Sequence, residues 1–190
     1  MKTIKINLTK ALFLITMMGS VLISCGQAEK SKEVKNASVS PEMNIHSAII
    51  SGNIEVVKQH IEAGTNLNEK EPMSGATPLI TAITFDKREI AKVLIDADSD
   101  LSIKNNDGST ALHVAAFFCR VEIVQMLIDA NADKTAKNNY GATPLETVSG
   151  DFKDIKPIYQ MLKEQLSPLG LKLDMDELEK TRPVIAMMLQ

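Results

Sequence analysis

Asn106-Asp107-Gly108-Ser109-Thr110-Ala111-Leu112-His113-Val114-Ala115-Ala116 opens the stretch that decides the fold, and Phe117-Phe118-Cys119-Arg120 follows it. The chain continues Val121-Glu122-Ile123-Val124-Gln125-Met126-Leu127-Ile128-Asp129-Ala130-Asn131-Ala132-Asp133. Asp-Gly marks a turn, because glycine adopts positive φ without a Cβ clash. Thr110 then caps a short apolar helix over about Ala111 to Phe117. A second apolar run, Val121 to Ile128, follows a brief polar break. It ends at Asn131, a residue that tolerates the left-handed conformation closing many helices.

The pattern recurs 33 residues away in both directions. Gly75, Gly108 and Gly141 share one register, as do Thr77, Thr110 and Thr143, and Leu79, Leu112 and Leu145. Pro78, Ala111 or Pro144 stands between, and proline suits the first helical position because no N–H is needed there. The period, with its turn-Thr-Pro-Leu-His-like start, resembles the ankyrin repeat over roughly 120 residues, Pro41 to Gln165. The resemblance implies an all-α ankyrin-repeat solenoid of about four repeats: 41–70, 71–104, 105–137 and 138–165. The first lacks its leading Thr-Pro, as expected of a terminal unit whose outer face meets water. The second carries one extra residue in its entering turn. Asp98 stands where Gly64 and Asn131 stand in their units.

The fourth unit departs after its turn. Gly150-Asp151-Phe152-Lys153-Asp154 and Pro157 predict a longer link and a delayed second helix near Pro157 to Gln165. In 166–190, Asp174-Met175-Asp176-Glu177 reads as a capping box opening one short helix. Thr181-Arg182-Pro183 reads as the start of another, and the two form a C-terminal helical cap over the last repeat.

The amino terminus has a different character. Lys2, Lys5 and Lys10 precede an apolar run from Ala11 to Ile23. That run suits a signal peptide and is shorter than the ~20 residues of a spanning helix. Leu22-Ile23-Ser24-Cys25 resembles a bacterial lipobox, which implies a lipoprotein signal peptide over 1–24 and lipidation at Cys25. Gly26 follows in place of the Asp that usually retains enterobacterial lipoproteins at the inner membrane. The resemblance therefore implies a lipid-anchored protein of the cell envelope, at the outer membrane and facing the periplasm. Residues 26–40 are polar and read as a tether spanning roughly 20 Å.

From Cys25 onward the chain carries eighteen Lys and Arg against twenty-four Asp and Glu, a net charge of −6. That disfavours nucleic acid as a partner. Cys119 is then left without an intramolecular partner, so no disulfide supports the fold. It reads as a small filler at a helix end.

Of the three histidines, His46 and His113 share one repeat position, where the resemblance implies a structural hydrogen bond between turn and helix. His60 is expected to be exposed. No metal-ligand spacing, phosphate loop or nucleophile elbow occurs, so no cofactor, metal or catalytic residue is assigned.

Ankyrin arrays bind proteins through turn tips and first-helix ends that line a concave face. By register these positions include Met73, Asn106, Asp107 and Tyr140 at the tips and Phe85, Phe117 and Phe118 at the helix ends. Phe152 falls next to the same end, which predicts an aromatic patch open to a protein partner. The expected function is a monomeric, membrane-anchored protein-interaction module. An envelope hydrolase predicts a deep pocket with two converging, perturbed acids. A structural spacer predicts Phe85 and Phe118 buried and a uniformly polar concave face.

Overall fold

A computed structural model describes residues 41–190. The expected signal peptide, Cys25 and tether lie outside the described residues. Among those described, nine α-helices and one 3₁₀ turn account for all regular structure.

Three helix pairs come first: α1 (Ile45–Ser51) with α2 (Ile54–Glu62), α3 (Pro78–Thr84) with α4 (Arg88–Asp96), and α5 (Ala111–Phe117) with α6 (Val121–Asp129). Thr77 shows why α3 starts where it does. Its hydroxyl accepts from the Ile80 N–H, and Pro78 fills the first position, where no donor is needed. Each of these second helices ends on a residue in the left-handed region: Gly64 (φ 70°), Asp98 (φ 57°) and Asn131 (φ 60°). The first helices end the same way at Gly52, Asp86 and Cys119. Gly, Asp and Asn accept this geometry most readily; Cys119 is the unusual occupant.

The pairs stack into two layers. The inner layer runs α1, α3, α5 and then α7 (Glu146–Ser149), each packed on the next. The outer layer runs α2, α4, α6 and then α9 (Met175–Leu189), not α8 (Phe152–Leu166). The fourth unit is therefore α7 paired with α9, and α8 is a helical insertion between them. Leu79, Ile83, Leu94, Leu112, Ile123 and Leu127 fill the core between layers, each essentially without solvent contact.

Three expectations about the carboxyl end are corrected. The link after α7 is short, because Asp151 caps α8 directly by accepting from Lys153 N–H. Pro157 lies inside α8 rather than opening a helix. The two short cap helices are one helix of 15 residues with Pro183 inside it. An interior proline typically costs about 3 kcal/mol. Here Leu178, Arg182, Ile185 and Leu189 all bury along one face, and that packing outweighs the local penalty. Asp174 does cap α9, accepting from the N–H groups of Asp176 and Glu177.

His60 is a fourth correction. It is buried, with Nε2 on the Met43 carbonyl oxygen (2.8 Å) and Nδ1 on Thr65 Oγ1 (3.0 Å). The segment before α1 folds back onto α2 and covers it.

Candidate binding face

The turn tips form a hydrogen-bonded ladder. Asn106 N–H donates to the Ser74 carbonyl, and the Asn106 amide donates to the Met73 carbonyl (both 2.9 Å). One unit later, Asn139 N–H reaches the Asp107 carbonyl and its amide reaches the Asn106 carbonyl. Within each tip, Asn105 and Asn138 fold the turn by accepting two N–H groups two and four residues ahead. In the second unit Glu71 takes that place. Its longer carboxylate accepts from Met73 N–H (2.8 Å) and Ser74 N–H, spanning the turn that is one residue larger. Partial burial raises the Glu71 pKa, but the bonds from Ser74 and Met73 more than reverse this and leave it below the ordinary value.

Histidines join turn to helix. His113 Nδ1 accepts from Thr110 N–H (3.2 Å), while Nε2 faces the Ala142 carbonyl of the next turn (3.0 Å). A carbonyl only accepts, so Nε2 carries the proton and the ring is neutral. Burial lowers its pKa. His46, with no threonine cap beside it, bonds forward to Thr81 Oγ1 (2.9 Å). Burial lowers its pKa too, against the opposing charges of Glu71 and Glu69. Thr143 pairs reciprocally with Glu146, accepting from its N–H and donating its own to the carboxylate.

The ladder fixes which residues face outward. Met73 is 90% exposed and Tyr140 79%, at opposite ends of the tip row. Asp107 is exposed between them, 3.5 Å from the Tyr140 hydroxyl. Asn106 is exposed too, but its amide is committed to the ladder. Gly75 and Gly108 are buried in the ladder, whereas Gly141 is exposed at its open end.

The aromatic patch is not open to a partner. Phe118 is 6% exposed and Phe152 7%, which corrects the expectation for Phe118 as a contact residue. Phe85 and Phe117 are half-buried. Over Phe117 the covering element is α8: its Tyr159 is fully buried, 4.7 Å from the Phe117 ring and 5.9 Å from Phe152. Phe118 lies edge-on to Phe117 at 5.0 Å, with the Arg120 guanidinium 5.7 Å above it. The Tyr159 hydroxyl donates to the Phe117 carbonyl (2.5 Å) and accepts from Arg182 (3.3 Å). Burial pushes its pKa up to about 12.

Arg182 was not singled out by the sequence. It is buried, and its guanidinium donates to the carbonyls of Thr147 and Gly150 at the end of α7. Arg120 plays the matching part at the end of α3, donating to the Thr84 carbonyl beside Asp86. Both tie an outer-layer segment to an inner helix end, the signal being an arginine 36 residues after Thr84 in one case and 35 and 32 residues after Thr147 and Gly150 in the other.

The carboxylates with shifted pKa do not form a catalytic pair. Hydrogen bonds lower Asp100 (from Ser102), Asp133 (from Thr135) and Glu146 (from Thr143), as they do Glu71, and all are turn or cap groups. A general acid needs the opposite shift. No group of three or more metal-ligating side chains occurs among the described residues.

The family model for ankyrin repeats matches residues 45–146 in three copies. Protein phosphatase 1 regulatory subunit 27 of Homo sapiens is 30% identical over 99 residues, covering 51% of this chain and 64% of that protein. The Mus musculus protein of the same name matches to the same extent. The chain thus spans somewhat less than two thirds of the length of these relatives. With the helix pairs, the tip ladder and the family match in agreement, the chain belongs to the ankyrin-repeat family.

Proposed function

We propose that this protein is a non-catalytic interaction module whose protein partner docks along the turn tips, with Met73, Asp107 and Tyr140 as the contact groups. The observation that carries this is the exposure of two large side chains on a backbone made rigid by the Asn106 and Asn139 ladder. Holding Met73 and Tyr140 in place before binding reduces the ordering cost of association. Tyrosine on a rigid support is a frequent hot-spot residue. A relative named as a phosphatase regulatory subunit supports a role in regulation by binding. Membrane attachment through lipidated Cys25, in a bacterial envelope and at the outer membrane facing the periplasm, belongs to the same proposal. It is supported by the basic, apolar and Leu-Ile-Ser-Cys segments of residues 1–25. No helix among the described residues is long and apolar enough to cross a membrane.

The test is recovery of partners by the anchored full chain from envelope extract, beside a Met73→Asp/Tyr140→Asp double variant. Proteins retained by the first and lost by the second support the tip surface; equal recovery rejects it. In parallel, Cys25→Ser should move the protein from the membrane to the soluble fraction.

A further inference from the structure

Two junctions in the tip row are filled, and its last tip is open. At each filled junction an asparagine of the later unit brings two donors to carbonyls of the earlier tip. Asn106 gives its N–H to Ser74 and its amide to Met73; Asn139 gives its N–H to Asp107 and its amide to Asn106. In the same register a further asparagine would meet the carbonyls of Tyr140 and Asn139. Neither accepts a hydrogen bond from any described residue. Thirty-three residues beyond Asn139 stands Lys172, in the segment entering α9, so the register brings no further asparagine.

The last turn keeps the shape of the one before it. Asn138 accepts from the N–H groups of Tyr140 and Ala142, as Asn105 accepts from those of Asp107 and Ser109. Gly141 has φ 77° against 72° at Gly108. The Asn139 and Tyr140 carbonyls are therefore held as those of Asn106 and Asp107 are held. Fixed main-chain acceptors without a donor are a template for another chain. The β-positions tell the same story. Asn106 fills the one at Gly75 and Asn139 the one at Gly108, whereas nothing lies within 4 Å of the one at Gly141. The Tyr140 side chain lies back along the row, its hydroxyl 3.5 Å from Asp107.

We infer that this open end takes an asparagine at the head of a tight turn in a partner protein, docked as Asn106 docks on the second unit and Asn139 on the third. Its N–H donates to the Tyr140 carbonyl, its amide donates to the Asn139 carbonyl, and its side chain rests on Gly141. A second copy of this chain has no tip asparagine to spare, because Asn106 and Asn139 are committed to their own ladder. The inference rests on the tips being the docking surface, and adds which end is used and which chemistry it recognises.

The probe is a head-to-tail cyclic peptide carrying the chain's own turn, Lys104 to Thr110, titrated into the isotope-labelled full chain and followed by NMR. Expected are shifts at the amides of Asn139, Tyr140, Gly141 and Ala142, and none at Gly75 or Gly108, whose β-positions are already taken. Asn106→Ala in the peptide removes the side-chain donor and should weaken binding about tenfold. Gly141→Ala in the protein puts a β-carbon where the incoming asparagine must lie, and should abolish the shifts. The peptide variant keeps the test independent of how that chain folds. No shifts at the last tip, equal binding by the Asn106→Ala peptide, or equal binding by a folded Gly141→Ala chain would overturn the inference. The tip surface itself is judged by the Met73→Asp/Tyr140→Asp capture. Partners lost by that double variant but kept by Gly141→Ala would leave the tip surface standing and overturn the asparagine docking.

Discussion

Asn139 holds its side-chain oxygen 2.3 Å from where a β-carbon on Gly108 would stand, and Asn106 does the same to Gly75. The two glycines are needed twice over, for positive φ and for the close approach of the next tip. Gly141 has positive φ as well, but nothing lies within 4 Å of its β-position.

Gly108→Ala should therefore destabilise the fold by about 2–3 kcal/mol, combining left-handed strain with the displaced Asn139. Gly141→Ala should lose only the strain, about 1 kcal/mol. Urea unfolding midpoints of the two variants provide the comparison, and equal losses would mean that the tip ladder contributes nothing.

Arg182 and Tyr159 act together. Arg182→Leu orphans the Thr147 and Gly150 carbonyls and one side of the Tyr159 hydroxyl. It should destabilise by about 1–3 kcal/mol. Tyr159→Phe keeps the ring stack and should lose about 1 kcal/mol. A double-mutant cycle should show coupling between them, and strict additivity would contradict the shared network.

His113 makes the fold sensitive to acid. Its pKa is lowered from 6.5 in the folded protein, with burial the leading cause. A depressed histidine favours folding fully above the unfolded value. As pH falls below about 6.5 the unfolded chain binds a proton that the folded chain resists, and stability declines toward the folded pKa. His46 contributes in the same direction. Melting temperature should fall between pH 7 and pH 5, and His113→Gln should flatten that slope.

Cys119 should be a slow thiol. Burial pushes its pKa from 9.0 up to about 11, and its sulfur lies 3.8 Å from the Leu178 carbonyl. Reaction with a disulfide reagent at pH 8 should be about a hundredfold slower than in urea, following the loss of thiolate. A rate unchanged by urea would contradict the buried placement.

The repeat was legible because its cues are local. A turn glycine, a threonine cap, a proline at the first position and an αL-tolerant residue at the end are all decided within a few residues. The recurrence of Asn106 and Asn139 at the repeat spacing also held the tip ladder, since a residue kept in register meets its own image in the next unit. The aromatic patch was misread for the opposite reason. Phe117 and Phe118 sit at a helix end that register makes concave-facing; Tyr159, some 40 residues on, covers the Phe117 ring, and Phe118 packs against Phe117 and Arg120.

The sequence by itself determined a stack of helix pairs with equivalent turns, because each unit hides its apolar side only against the next. Tertiary structure alone decided that α9 completes the last pair, that α8 is the inserted element, and that Pro157 and Pro183 stay within helices. Those outcomes rest on burial of Tyr159, Arg182 and Ile185 against distant residues. Long-range packing overrode local helix signals there, and nothing within a few residues of either proline records it.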